Sequence, residues 1–174
     1  FCRLSGEMER MAQMAETNLI RAMNTLVTRD QKEIDEVYRV EENIKFPEQR
    51  DYELSGSLKS GIAATSDVMR IGALFHVVND IERIGDHAEN VADSAVQMTN
   101  DNVTFSKQGE LDLSEMLDMV LKILDESIEM FAKNDLQHLQ EIIDIENSID
   151  QEERDLQQKH VERLTRNECT PEAA

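Results

Sequence analysis

Apolar positions recur along this chain in steps of four and three, the spacing of one face of a helix. Met8, Ala12, Ala15, Leu19, Ala22 and Leu26 form the first such seam. Arg29-Asp30 interrupts it, and Asp30 is placed to cap a following helix. Ile34, Val37, Glu41 and Ile44 make a second stripe, in which one position is a carboxylate. Pro47 is expected to kink or restart this helix, because proline lacks the amide hydrogen and clashes with the preceding turn. Leu54, Leu58 and Ile62 carry the stripe onward past Gly61 to Ala63-Ala64. Thr65 or Ser66 then caps a third helix, predicted to run to about Thr99 and to bury Val77, Ile81, Ile84, Ala88, Val91 and Ala95.

A polar stretch from Asn100 to Gly109 reads as a linker, and after it the pattern returns. Leu113 or Ser114 opens a helix carrying Leu117, Leu121, Leu124, Ile128 and Phe131. Asn134-Asp135 breaks it, and Leu139, Ile142, Glu146 and Ile149 follow. The two halves match at a constant offset of 105 residues: Leu19 falls on Leu124, Asp30 on Asp135, Glu36 on Glu141, Glu41 on Glu146 and Ile44 on Ile149. The predicted architecture is therefore all-α, two tandem antiparallel three-helix bundle units over residues 1–99 and 111–174 with a linker at 100–110. In the second unit the third helix is expected to begin near Thr170, where Thr170, Pro171 and Glu172 suit the cap and first turn of a helix. Without that helix, Leu121, Leu124, Ile142 and Ile149 would form an exposed apolar patch. We thus expect either a longer chain that supplies it or a neighbouring copy, as in a homodimer, that fills the groove. Phe1 in place of Met agrees with a longer parent product.

Composition supports the helical reading. Two Pro and six Gly leave little turn material for an all-β fold, and nine Met outnumber the five Phe and two Tyr. The net charge of −19, from 18 Lys+Arg against 37 Asp+Glu, repels nucleic acid and anionic headgroups and favours metal cations or a basic partner. No apolar run approaches the roughly 18 residues that span a bilayer, and no signal-peptide pattern is present, so the visible chain is not expected to insert in a membrane. Cys2 and Cys169 lie far apart and form no ligand spacing, which points to a reducing compartment and away from a thiolate zinc site.

The most specific string is Asn79-Asp80-Ile81-Glu82-Arg83-Ile84-Gly85-Asp86-His87-Ala88-Glu89-Asn90. On a helix, Asn79, Glu82, Asp86, Glu89, Asn90 and Asp93 lie to one side of its aliphatic face, with Glu82 and Asp86 on adjacent turns. Like charges at that spacing repel unless a cation lies between them. Glu41 and Glu146 occupy seam positions at the same place in each unit, and Glu146 and Asp150 repeat the Glu-x-x-x-Asp spacing of Glu82 and Asp86. A carboxylate in an apolar seam must be paired, protonated or metal-bound. Glu82, Asp86, Glu41, Glu146, Asp150 and Asn79 are thus the candidate metal ligands. The alternatives are a solvated acidic face, and for Glu41 a salt bridge to Arg70 or Arg83. His76 and His87 flank the face, whereas His138 and His160 read as surface positions. Met8, Met11, Met14 and Met23 read as core filler.

The string from Asp80 to Ala92 closely resembles the signature of the PhoU family of phosphate-uptake regulators, whose tandem three-helix units agree with the repeat. Val77-Val78-Asn79 and Glu7-Met8-Glu9-Arg10-Met11-Ala12 look most like the PhoU-like cytoplasmic domain of bacterial sodium/phosphate cotransporters. The resemblance implies a non-enzymatic regulator at the inner face of the cell membrane, contacting a phosphate transporter membrane domain or other transport and signalling proteins. It also implies a multinuclear, carboxylate-ligated iron or zinc cluster on Glu82 and Asp86. The rival readings are a carboxylate-bridged helical metalloenzyme and an acidic scaffold without metal. Such enzymes supply Glu-x-x-His, but here Ala73, Ile84, Asp135 and Gln157 precede the four histidines by three.

Overall fold

The computed structural model describes residues 2–44, 65–133 and 137–169, and in these all regular structure is α-helical. The helices are α1 (Cys2–Thr28), α2 (Gln31–Ile44), α3 (Thr65–Asn100), α4 (Lys107–Lys133) and α5 (Leu139–Thr165). The break expected at Pro47 and the stripe through Leu54, Leu58 and Ile62 lie outside the described residues, as does Thr170.

The first three helices form a closed bundle in which α1 lies along α3 and α2 packs on both. Met8, Met11, Ile34, Val37 and Ile44 are essentially removed from water, each worth about 1.5–3 kcal/mol of transfer free energy. The buried line on α3 is Val78, Ile81, Gly85, Ala88, Ala92, Ala95 and Met98. Val77, Ile84 and Val91, expected at the centre of that face, are only half-buried at its edge. The reason is that α3 fits between two helices, so its central line carries small side chains and its bulkier ones flank them.

The seam of α1 also holds two polar residues, Asn18 and Thr25, which lie at its three-and-four spacing and are fully buried despite their polarity. Asn18 donates to the Val37 carbonyl at 2.9 Å, tying α1 to α2, and the Thr25 hydroxyl donates to the Ala22 carbonyl at 2.6 Å. Asp30 caps α2 as expected, its carboxylate accepting from the Lys32 amide at 2.9 Å. Arg29, at φ 55, takes a left-handed conformation that is unfavourable for a side chain with a Cβ. Its guanidinium offsets this by donating to the Leu26 carbonyl at 2.7 Å and the Val103 carbonyl at 2.9 Å. The α1–α2 turn is thereby fastened to the segment after α3, where Val103 and Phe105 pack on the lower core.

The linker is shorter than its composition suggested. Helix α4 starts at Lys107 and not at Leu113 or Ser114, because Ser106 caps it, accepting from the Gly109 amide at 3.1 Å. Along α4, Ile128 and Phe131 pack against the upper core of the first unit. At this joint Glu16 of α1 meets Asp125 of α4. Burial, then the neighbouring charge and hydrogen bond of Asp125, raise the Glu16 carboxyl above its ordinary range.

Helices α4 and α5 form a hairpin, and α5 has no buried residue. Leu121, Leu124, Ile142 and Ile149 are half-buried, and Leu139, Ile143 and Val161 are exposed. Glu146, expected to face the interior, is exposed. Its counterpart Glu41 is covered because α3 lies over α2, whereas among the described residues no third helix covers α5. The hairpin instead has a polar clasp at its open end. Arg163 donates to Asp112 at 2.6 Å and Gln108 donates to the same carboxylate at 3.0 Å, with Asp112 only 4% exposed.

Two outcomes follow from these contacts. Asp112→Ala leaves Arg163 without its carboxylate in a nearly dry position, and should lower unfolding free energy by about 3 kcal/mol in urea titrations. For Glu16 the folded state binds the proton more tightly than the unfolded chain does. Its contribution is therefore complete below the ordinary carboxyl pKa and is lost as pH rises through the raised value. Glu16→Gln should raise the melting temperature at pH 8, and the gain should shrink as pH is lowered; a gain that grows on acidification would contradict the assignment.

Candidate functional site

The third position of the α2 stripe that should be apolar is Glu41, and its side chain is 5% exposed. Helix α3 crosses it at Gly85. A Cβ at Gly85 would lie 3.6 Å from Ile44 Cδ1 and Cγ2 and 3.9 Å from Glu41 Cγ. That close approach carries Glu41 to the acidic edge of α3. One carboxylate oxygen from each of Glu41, Asp86 and Glu89 lies within 4.8 Å of the other two. Donors sharing one cation at about 2.0–2.6 Å are at most about 4–5 Å apart, so the trio has the dimensions of a coordination site. Its burial is graded: Glu41 is buried, Glu89 half-buried and Asp86 exposed. The site therefore has a dry base and an open rim.

Tyr38, one turn before Glu41, fixes the same edge from the other end. Its hydroxyl donates to Asp93 at 2.6 Å. Burial, followed by that bond and the charges of Asp93, Glu89 and Asp35, pushes the phenol up to about 12. The hydroxyl stays protonated and holds α2 in register with α3.

The expected ligand set is only partly assembled. Glu41 and Asp86 come together, and Glu89, on the predicted face but not among the chosen ligands, completes the group. Glu82 is half-buried one turn earlier on α3 and lies outside the trio, while Asn79 is exposed further along the same helix. Glu146 and Asp150 are exposed on α5 and are not part of this group. Arg83, a proposed partner of Glu41, is exposed and reaches Asp80 at 4.0 Å; the Arg70 side chain lies outside the described ones. His76 and His87 are exposed. His160, read from the sequence as a surface position, is half-buried with Nδ1 3.9 Å from Cys169 Sγ. His138 is exposed, as expected, at the start of α5.

The PhoU domain family model matches residues 8–95 and 113–173, most of the chain and both helical units. This chain belongs to the PhoU domain family. Among similar proteins, the phosphate-specific transport system accessory protein PhoU homolog of Pseudomonas aeruginosa is 27% identical over 143 residues, covering 82% of this chain and 58% of the relative. The protein of the same name from Pseudomonas putida is 26% identical over 149 residues, covering 86% and 55%. The chain thus spans little more than half the length of these relatives. The crystal structure of PhoU from Pseudomonas aeruginosa superposes with a TM-score of 0.76 at 23% identity, covering 94% of this chain and 78% of that one, which establishes a shared fold.

In this PhoU-family chain the α2–α3 approach decides the site geometry, and Gly85 gives a direct test. The space above it accepts a methyl at ordinary contact distance, so Gly85→Ala should be neutral or stabilise by up to about 1 kcal/mol through helix propensity. Gly85→Leu should force α2 outward, lowering the melting temperature and separating Glu41 from Asp86. Equal stability of both variants would show that the approach does not constrain the site.

Proposed function

We propose that this chain is a regulatory unit of phosphate uptake that works by protein contact, and that a cation on Glu41, Asp86 and Glu89 holds α2 and α3 in the arrangement a partner reads. Membership of the PhoU domain family carries the regulatory reading, because both Pseudomonas relatives bear the name of phosphate-specific transport accessory proteins. Its setting would be the cytoplasmic side of the membrane. No described helix is long and apolar enough to cross a membrane, and a phosphate transporter membrane domain is the surface these helices would contact. The resemblance of Val77-Val78-Asn79 and of the segment Glu7–Ala12 to the cotransporter branch favours reading the chain as the cytoplasmic PhoU-like part of a sodium/phosphate cotransporter.

The acidic trio supports the cation. Three carboxylates that converge around a dry base repel one another, and a multivalent cation reverses that repulsion. All donors in the trio are oxygens, which suits a hard ion such as ferric iron, manganese or magnesium better than zinc, whose sites usually include imidazole or thiolate. Glu41 would hold the ion from the base while Asp86 and Glu89 close on it from one helix. The ion would bridge α2 to α3 without taking part in catalysis.

Two measurements test the two halves separately. Elemental analysis should find less metal per chain in a Glu41→Gln, Asp86→Asn variant than in the wild type, and a chelator should lower the melting temperature of the wild type more than that of the variant. Equal metal content in both would discard the trio. Phosphate uptake in cells of the source organism should be misregulated when this chain is deleted, and unchanged uptake would discard the regulatory role whatever the metal result.

A further inference from the structure

The repeat of 105 residues points to a second polar rung, on helices other than those that form the trio. In the first unit, Arg21 of α1 donates to Glu33 of α2 at 3.1 Å, while the neighbouring Glu36 carboxyl is held below its ordinary range first by its hydrogen bond from Arg39 on the same helix and least by the charge of Arg21. A cation on α1 thus pairs with a carboxylate on α2. The equivalent positions in the second unit are Glu126, His138 and Glu141. The arginine has become a carboxylate, and one of the two carboxylates has become a histidine. At these three positions the permanent cation of unit one is thus absent from unit two.

The side chains nevertheless converge. A ligand atom from each of Glu126, His138 and Glu141 lies within 4.8 Å of the other two, and His138 Nδ1 is 3.1 Å from Glu141 Oε2. Glu126 comes from α4, and the other two from the start of α5. We propose that this rung is a zinc-class divalent metal site that clasps the α4–α5 hairpin at its turn end. One imidazole nitrogen with two carboxylate oxygens from facing helices is a donor set that zinc accepts, leaving a fourth position for water. A proton on His138 would neutralise one carboxylate and leave the other repelled, whereas a doubly charged ion satisfies both. Among the described residues, Glu129 and Lys133 of α4 lie close by and pair with each other.

The location explains why a clasp matters. Helix α5 has no buried residue, so the hairpin relies on polar links between its helices. Asp112 and Arg163 close the open end, and the metal rung closes the turn end. The donor set also separates this site from the trio: one imidazole here, only carboxylates there.

The test uses the full chain with Glu41→Gln and Asp86→Asn, which silences the trio. Added Zn2+ should raise its melting temperature, and Co2+ should give the visible absorption of a low-symmetry site with a nitrogen ligand. Both responses should be lost, with affinity at least about tenfold weaker, on adding His138→Ala or Glu126→Gln, since even an outer-shell change costs about that much. Helix content by circular dichroism should match in all variants. No response to either ion, or a response that both added substitutions leave intact, would overturn the site. So would a hairpin stability that falls as pH rises through the histidine range and ignores zinc, since that result assigns the rung to a protonated histidine.

Discussion

The approach of α3 to its neighbours along Gly85, Ala88, Ala92 and Ala95 is the constraint on which the rest of this structure depends. Small side chains there let three helices close around two continuous cores, and they set the distance between α2 and α3. A bulkier line would keep the helices apart, leave Ile34, Val37 and Ile44 incompletely covered, and hold Glu41 away from Asp86 and Glu89. The stability of the first unit and the geometry of its acidic site therefore have one cause. Asn18, Arg29 and Tyr38 then lock the register, each with a hydrogen bond from one helix or turn to another element.

The second unit has the same helix pattern with a different balance of forces. Its apolar side chains are half-buried or exposed where those of the first unit are buried, and its buried carboxylate, Asp112, pairs with the half-buried Arg163. Polar links in a thin hairpin are sensitive to charge in a way that an aliphatic core is not. The joint to the first unit shares that sensitivity, since Ile128 and Phe131 dock on the core beside two carboxyl groups, Glu16 and Asp125. Charge placement, more than apolar area, governs how the α4–α5 hairpin is held to itself and to the bundle.

The functional reading rests on separate supports. Family membership connects the chain to phosphate transport, and the trio supplies a place where a cation would affect the bundle's shape. A cation bridging α2 and α3 would stiffen the same interface that Tyr38 and Gly85 already define, so occupancy would be felt along the surface those helices present. The proposed site is built from helix edges, and the described trio holds carboxylates alone.

The sequence by itself determined the helices, the 105-residue repeat, the cap at Asp30 and the anomalous acid at Glu41, because each is a local pattern along one helix or a comparison between like positions. It also placed Asp86 and Glu89 on one edge of α3, since that follows from 3.6 residues per turn. The start of α4 was misjudged because Ser106 and Gly109 make a cap within a polar stretch that otherwise looks like loop. What only the tertiary structure decided is which of two equivalent acids is enclosed. Glu41 and Glu146 hold equivalent positions in two apolar stripes, but burial is a property of what lies across from a residue, and among the described residues α3 lies across from only one of them. The pairing of Glu126 with His138, and of Asp112 with Arg163, was hidden for the same reason: each joins side chains on different helices, and no periodicity within one helix contains that distance.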